Sequence, residues 1–232
     1  MTKEEGKKIK ALEKAIGYSF KKTSVLKRAL THKSYANELK LSAEEHNERL
    51  EFLGDAVLEL AVSELLMKRY PDFSEGELSK MRAAIVNEKQ LASLARKFRL
   101  GDYLYLGRGE EQTSGREKSS LLADAYEAIL GGIYMDRGAK KAFQLIQRHY
   151  LDLLDKTPPH QFYQDYKTEL QERCQELFRA IPRYKLAAER GPDHDKTFEV
   201  EIYIRNELMG HGFGRSKKEA EQQAAQEALQ KL

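Results

Sequence analysis

The chain has 232 residues, 41% of them hydrophobic, a size that suits one large domain or one ordinary domain with a small companion. Its single cysteine, Cys174, excludes an internal disulfide, as is usual in a reducing compartment, and we expect a cytoplasmic protein. A formal net charge of +3 is too close to balance to indicate a nucleic-acid-binding protein. The charged N-terminus lacks an apolar signal segment, and the most apolar stretch, residues 121–135, contains two carboxylates, so we expect no membrane association.

Helical periodicity runs through the first 154 residues. Apolar residues recur there every three or four positions, and no alternating strand pattern interrupts them. The polar, glycine-containing segment Gly107–Ser120 is the exception, and it predicts a solvated and mobile loop. Residues 1–154 are therefore predicted to form an all-α domain. Its predicted helices cover residues 9–16, a run that carries Leu26 to Leu30, and residues 46–70, 74–85, 88–98, 121–136 and 140–154.

Two consecutive prolines mark the end of this domain. Pro158 and Pro159 must break a helix, so we predict a linker over residues 155–164. Residues 165–232 predict a small α+β domain in the order α-β-β-β-α, in which Ser216 and Glu219 form a capping box for the last helix. The predicted elements are a helix at 166–178, strands at 184–189, 197–204 and 208–215, and a helix from Lys217.

The stretch HNERLEFLGDAVLEL, residues 46–60, has a crowded acidic face. On a helix, its carboxylates fall within about 80° of one another, opposite the apolar side. They are Glu48, Glu51, Asp55 and Glu59. A solvated surface is the ordinary explanation for such a face. Because like charges at helical spacing repel, a bound cation is the alternative.

A second carboxylate pair favours the cation. Asp124 and Glu127 share one face of LLADAYEAILGGIYM, which is otherwise apolar or small and supplies no Lys or Arg. Buried carboxylates need basic partners or a metal ion. If this helix packs against residues 46–60, the converging ligands are all oxygen atoms, which suits Mg²⁺ or Mn²⁺ and not Zn²⁺. The sequence thus predicts a divalent-metal site.

Three further side chains near these carboxylates need an interpretation. On a helical wheel that starts at Glu48, Phe52 lies at about 40°, on the acidic side of the helix. A large apolar side chain at this position is covered either by another part of the domain or by a partner chain. His32 and His46 are rival acid–base catalysts, but no histidine-aspartate dipeptide is present, and we expect capping or packing roles for both.

At this point the residues carry a family resemblance. HNERLEFLGDAVLEL with the later ADAYEA resembles the ribonuclease III signature and its downstream acidic pair, and the tail from DYKTELQE to SKKEAEQQAAQEAL resembles a double-stranded RNA-binding domain. The resemblance covers nearly the whole chain. It implies an all-helical, homodimeric nuclease domain in which each of two active sites hydrolyses one strand of double-stranded RNA, leaving short 3′ overhangs. It further implies a role in processing rRNA precursors and mRNA.

The resemblance also implies roles for single residues of the nuclease domain. Phe52 matches the aromatic residue that inserts into the other subunit, and Glu48 and Glu75 match auxiliary acidic residues. Glu48, Asp55 and Glu127 are the implied catalytic residues. Two Mg²⁺ ions per active site, with Mn²⁺ as a substitute, have as implied ligands Glu51, Asp55, Asp124 and Glu127.

The tail is not a basic domain, since residues 165–232 contain 12 Lys and Arg against 13 Asp and Glu. Its RNA-binding interpretation rests on Lys217 and Lys218, which fall in the first turn of the last helix, where backbone N–H groups also favour phosphate. The resemblance adds Gln171 and the 191–194 segment with His194 as minor-groove contacts that read shape and 2′-hydroxyls. Many such domains carry a basic residue where Glu221 stands here, which predicts a thin phosphate footprint.

Two other functions remain open at this stage. The first is a non-catalytic double-stranded RNA-binding protein of the same fold, and the second is a purely structural helical interaction protein. The presence of all four ligand-type carboxylates favours the enzyme, because a decayed site would be free to lose Asp124 or Glu127 from an apolar helix.

Overall fold

The computed structural model describes residues 3–42, 44–157, 166–192 and 196–232. The chain divides into two compact units, Met1–Tyr163 and Gln164–Leu232. The predicted fold class is confirmed: the first unit is helical, with one isolated parallel bridge between Thr31 and Tyr105, and the second has the order α-β-β-β-α. Every helix in the described ranges is too short or too polar to cross a lipid bilayer.

The helices of the first unit are α1 (Lys3–Ile16), α2 (Thr23–Ala29), α3 (Lys33–Glu38), α4 (Glu48–Arg69), α5 (Glu75–Ile85), α6 (Glu88–Lys97), α7 (Arg108–Gln112), α8 (Ser119–Arg137) and α9 (Ala139–Lys156). Short 3-10 turns lie at Leu100–Tyr103 and Gly115–Glu117. The helix α3 was not predicted, because only Ala36 of its six residues is buried and the apolar pattern is therefore absent.

A close crossing of α4 and α8 forms the centre of the first unit. A Cβ atom added at Gly54 would lie 1.8 Å from the carbonyl oxygen of Glu127, and one added at Gly131 would lie 2.1 Å from that of Leu50. The two backbones therefore touch where each helix has a glycine. As predicted, α8 is buried along most of its length, although Met135 near its C-terminal end is exposed.

The segment Gly107–Ser120, predicted to be a solvated and mobile loop, is largely solvent-exposed, but it has regular structure that was not predicted. The segment contains α7 and a 3-10 turn, and polar contacts hold it to the unit. The Gly107 N–H donates to Ser34 Oγ at 2.9 Å, Arg116 donates to the Gly101 carbonyl at 2.6 Å, and Lys118 pairs with Glu110 at 2.6 Å. Hydrogen bonds and ion pairs, which hydrophobic periodicity does not reveal, give this segment its structure.

The second unit packs two helices against one face of an antiparallel sheet. Its elements are α10 (Tyr166–Phe178), β1 (Arg183–Arg190), β2 (Thr197–Ile204), β3 (Glu207–Gly214) and α11 (Lys217–Gln230), with strand order β1-β2-β3. A Cβ at Gly210 or Gly212 would lie 2.1 Å or 2.3 Å from a backbone oxygen of α11, so glycines bring β3 and α11 together.

The predicted capping box at the start of α11 forms only in part. The Glu219 N–H donates to Ser216 Oγ at 3.2 Å, as expected of an N-cap serine. The Glu219 carboxylate, however, accepts from the Arg215 N–H at 2.8 Å instead of from Ser216. The helix start is where the sequence predicts it, with the reciprocal bond displaced by one residue.

Candidate metal centre

Three of the four predicted metal ligands converge at the α4–α8 crossing. Glu51 of α4 and Asp124 and Glu127 of α8 each offer a carboxylate oxygen, and these atoms all lie within 4.8 Å of one another. Glu51 precedes Gly54 by almost one helical turn, and Gly54 contacts the backbone of Glu127 itself. The glycine crossing therefore sets the separation of the carboxylates. We call these three residues the acidic triad.

Burial and mutual repulsion perturb the acidic triad. Burial, followed by the charges of Asp55, Asp124 and Glu51 in that order, raises the pKa of Glu127 to about 8. Burial likewise raises the pKa of Glu51 to about 7, with a contribution from Asp124. The pKa of Asp124 is also raised, first by burial. Three half-buried carboxylates at this spacing fit a hard divalent cation, which takes oxygen ligands and neutralises them.

The fourth predicted ligand, Asp55, lies beside the acidic triad but is not part of it. Its side chain is exposed on α4, although its charge acts on Glu127 more strongly than that of any other carboxylate. The helix wheel predicts its proximity correctly, but the position of its oxygen atoms depends on side-chain rotation at an exposed site.

Glu48 is held at the N-terminal end of α4 by a residue that sequence reasoning missed. Its carboxylate pairs with the Lys33 ammonium at 2.9 Å, and this hydrogen bond lowers the pKa of Glu48. The other Glu48 oxygen lies 3.8 Å from Nδ1 of His46, a buried nitrogen with no hydrogen-bond partner among the described residues. Only tertiary packing brings Lys33 here, since fifteen residues separate it from Glu48 in the sequence.

Glu75 and His32 occupy positions outside the acidic triad. Glu75 begins α5 and accepts a hydrogen bond from the Ser79 hydroxyl at 2.8 Å. His32 is the N-cap of α3 and accepts from the Ser34 N–H at 3.2 Å, so the expectation of a capping role is confirmed.

Phe52 is 82% exposed, so no other part of the described chain covers it. Leu60 and Met67, also on α4, are 62% and 63% exposed. At helical spacing these three side chains leave α4 within about 80° of one another. They form an apolar stripe on α4 that begins at Phe52, the residue after Glu51, and such exposed stripes are typical of protein interfaces.

The predicted RNA-binding residues of the second unit are exposed where the structure describes them. Gln171 lies on α10, and Lys217 and Lys218 lie in the first turn of α11. His194 lies outside the described residues. Glu221, where a basic residue is common in similar domains, pairs with Lys167 at 2.5 Å, so its charge is balanced within the unit.

The first unit is helical and contains carboxylates that fit a metal ion, and the second unit has the order α-β-β-β-α. This is the architecture of nucleases that carry an RNA-binding tail. Residues 22–154 match the ribonuclease-III-like family model, and residues 166–232 match the double-stranded RNA binding motif. The chain belongs to the ribonuclease III family, and it is an endoribonuclease.

Relatives support this assignment over almost the whole chain. Ribonuclease 3 of Myxococcus xanthus is 48% identical over 97% of this chain and 86% of its own length. Ribonuclease 3 of Natranaerobius thermophilus is 50% identical over 90% of both chains. The solved nuclease domain of ribonuclease III from Campylobacter jejuni is 42% identical, with a TM-score of 0.60, over 66% of this chain and 99% of that chain. A second structure of that domain concerns flexibility in a region involved in dimer formation.

Proposed function

We propose that this protein is a divalent-metal-dependent, cytoplasmic endoribonuclease that hydrolyses both strands of double-stranded RNA and leaves short 3′ overhangs, as in the processing of rRNA precursors and mRNA. The observation that carries the proposal is the acidic triad, three half-buried carboxylates within 4.8 Å in a chain with a double-stranded RNA binding motif. We also propose the domain division predicted from the sequence: residues 1–154, a linker at 155–164, and residues 165–232.

Glu51, Asp124 and Glu127 would hold Mg²⁺, with Asp55 as the fourth ligand and Mn²⁺ as a substitute. Two ions per site, the number we propose, would supply an activated water near neutral pH and would stabilise charge on the leaving 3′ oxygen when bound. The protein's own contribution is to bring the carboxylates together through the Gly54–Gly131 crossing and to keep them half-buried. No side-chain nucleophile is required. Glu48 and Glu75 are proposed as auxiliary acidic residues.

Cleavage of both strands needs two sites, and we propose that a homodimer supplies them. The support is the apolar stripe of Phe52, Leu60 and Met67, which is exposed on α4, the helix that carries Glu51. A two-fold axis at this stripe places one site on each antiparallel strand of a duplex. Phe52 would then be buried in the partner chain.

We propose that the second unit binds duplex RNA through Lys217 and Lys218 on phosphates and through Gln171 and His194 in the minor groove. Contacts of this kind read shape and 2′-hydroxyls more than base sequence. Because the unit has nearly balanced charge and Glu221 is paired with Lys167, the phosphate contacts are few. Binding should therefore be weak at high salt.

The competing function is a non-catalytic double-stranded RNA-binding protein. The half-buried Asp124 and Glu127 argue against it, because burying two neighbouring carboxylates without a cation costs free energy that RNA binding alone does not require. The structural helical protein is not retained, because the chain belongs to a nuclease family.

The test is incubation with a long RNA duplex, with and without Mg²⁺, followed by product sizing. Glu127→Gln should abolish cleavage and leave duplex binding within about two-fold, because it removes one ligand charge and preserves the side-chain volume. Binding is measured by gel shift in Ca²⁺ on the same preparation. The matched control is Glu59→Gln, an exposed carboxylate of α4 outside the acidic triad. Unimpaired cleavage by the Glu127 variant would remove this residue from the site.

A further inference from the structure

Glu48, the ion-pair partner of Lys33, precedes Glu51 of the acidic triad by almost one helical turn on α4. The Lys33 ammonium is 2.9 Å from one oxygen of Glu48, and the lysine side chain remains 57% exposed. The second Glu48 oxygen lies 3.8 Å from Nδ1 of His46. Glu48 thus pairs directly with Lys33, and the ammonium of this lysine remains open to solvent.

The charge of Lys33 reaches both helices of the site. The positive charge of Lys33 opposes the rise in the pKa of Glu51 on α4 and of Asp124 on α8. It also lowers the pKa of its partner Glu48. Within the part of the chain that the structure describes, no other lysine or arginine is among the main influences on the acidic triad. Lys33 is therefore the basic side chain of the described chain with the clearest electrostatic influence on the acidic triad.

Stability does not explain this arrangement. An ion pair as exposed as Lys33–Glu48 contributes little to folding in water. An ammonium has three donors, and Glu48 accepts from one of them, which leaves two for an incoming acceptor. An RNA phosphate is negatively charged, and it must come close to Glu48, Asp55 and the acidic triad. The positive charge of Lys33, next to Glu48, offsets this repulsion for a phosphate that approaches the carboxylates.

We propose that Lys33 binds a phosphate oxygen of the RNA strand that enters the active site, and that Glu48 positions the ammonium for this contact. The inference rests on the proposed function, because it needs duplex RNA as the substrate. It adds a phosphate contact in the nuclease unit to those of Lys217 and Lys218.

The experiment measures duplex affinity as a function of salt in a chain that binds but does not cleave. Lys33→Gln, Lys33→Arg and Lys140→Gln are each combined with Glu127→Gln, and the dissociation constant for a blunt RNA duplex is measured from 0.05 to about 0.3 M KCl at constant Ca²⁺. Lys140 is the matched control, an exposed lysine of α9 that has no part in the site. Thermal unfolding of every variant checks that the fold is intact.

Lys33→Gln should weaken binding about five- to ten-fold and reduce the slope of log K against log salt by about one for each Lys33 that contacts phosphate. Lys33→Arg should keep the slope because it keeps the charge, and Lys140→Gln should change neither quantity. A purely structural role would not alter the salt slope.

An unchanged slope for Lys33→Gln, in a protein that still binds duplex, would overturn the inference and leave the proposed function standing. The same holds if Lys33→Gln only tightens Mn²⁺ binding measured by calorimetry, since Lys33 would then merely balance the carboxylates. Failure of the Glu127→Gln parent to bind duplex would instead count against the proposed function itself.

Discussion

Glu127 lies where burial and three neighbouring carboxylates raise its pKa to about 8, compared with an ordinary value of 4.5. Between these two values, the folded metal-free protein keeps a proton that the unfolded chain has released. The stabilising contribution of the protonated group is complete below pH 4.5 and is lost as the pH rises to about 8. A divalent cation reverses this loss, because it binds the deprotonated carboxylates of the folded state.

We therefore predict that Glu127→Gln raises the melting temperature of the metal-free protein, relative to wild type, more at pH 9 than at pH 5. The glutamine side chain has the same volume and never acquires the charge. A loss of about 1 kcal/mol in the free energy of unfolding lowers the melting temperature by about 2–4 °C for a protein of this size, so the difference is measurable by thermal unfolding in EDTA.

Addition of Mg²⁺ should stabilise wild type at pH 8 and have little effect at pH 5, where Glu51 and Glu127 are protonated. Glu59→Gln, which removes an exposed carboxylate from the same helix, is the control. A melting-temperature difference between wild type and Glu127→Gln that stays constant from pH 5 to pH 9 would contradict the coupling proposed for Glu127.

At the scale of elements, the α4–α8 crossing connects packing to chemistry. Gly54 faces the backbone of Glu127, and Gly131 faces that of Leu50, so neither position has room for a side chain. The carboxylates of the acidic triad lie within one turn of this contact. Any change that separates the helices also separates the ligands, and stability and metal binding should fall together.

Gly54→Ala should destabilise the protein by about 1–3 kcal/mol, because the new methyl group meets backbone that must move. It should also weaken Mn²⁺ binding and cleavage at least about ten-fold, since α8 shifts relative to Glu51. Thermal unfolding and metal titration measure the two effects. Gly76→Ala is the matched control: a Cβ at this helical glycine of α5 meets nothing within 4 Å, and the substitution should be neutral or slightly stabilising. Equal metal affinity in wild type and Gly54→Ala would show that the crossing does not set the ligand separation.

At the scale of the whole molecule, the acidic triad belongs to one compact unit and the exposed lysines of α11 belong to the other. The first unit contains all the proposed ligands, together with the apolar stripe of Phe52, Leu60 and Met67. The proposed division of labour assigns cleavage and dimerisation to residues 1–154, and duplex affinity to both units.

A chain that ends at Leu154 should still dimerise and cleave duplex RNA at low salt. It should lose activity at salt concentrations at which the full chain still cleaves, because the contacts of Lys217, Lys218 and Gln171 are missing. Cleavage rates at increasing KCl measure the effect, and sedimentation measures the dimer. A truncated chain that is folded by circular dichroism but inactive at low salt and high Mg²⁺ would contradict this division of labour.

A heterodimer of one wild-type chain and one Glu127→Gln chain should nick one strand of a duplex and seldom break both. Each acidic triad provides ligands for a single site, which aligns one phosphodiester, and the two-fold axis supplies the second site. Chains with different tags are co-expressed, purified through both tags, and assayed on a duplex labelled separately on each strand. Double-strand breaks at the wild-type rate would mean that one site cuts both strands.

The sequence by itself determined the order of the elements other than α3 and α7, and the helical faces that carry the chemistry. Periodicity depends on neighbouring residues, so the acidic face of α4, the apolar character of α8 and the start of α11 at Ser216 could all be predicted. The spacing of Asp124 and Glu127 in an apolar helix was enough to indicate a metal site, because burial without a cation costs free energy.

Only the tertiary structure decided which atoms meet. Hydrophobic patterns show which face of a helix is buried but not what it packs against, so the contact of Gly54 with the Glu127 backbone could not be predicted. For the same reason, the ion pair of Lys33 with Glu48 on another helix could not be predicted. Neither could the hydrogen bonds that accompany α7 in a polar segment. Directional contacts between distant residues depend on the path of the whole chain, whereas helices and strands depend on local spacing.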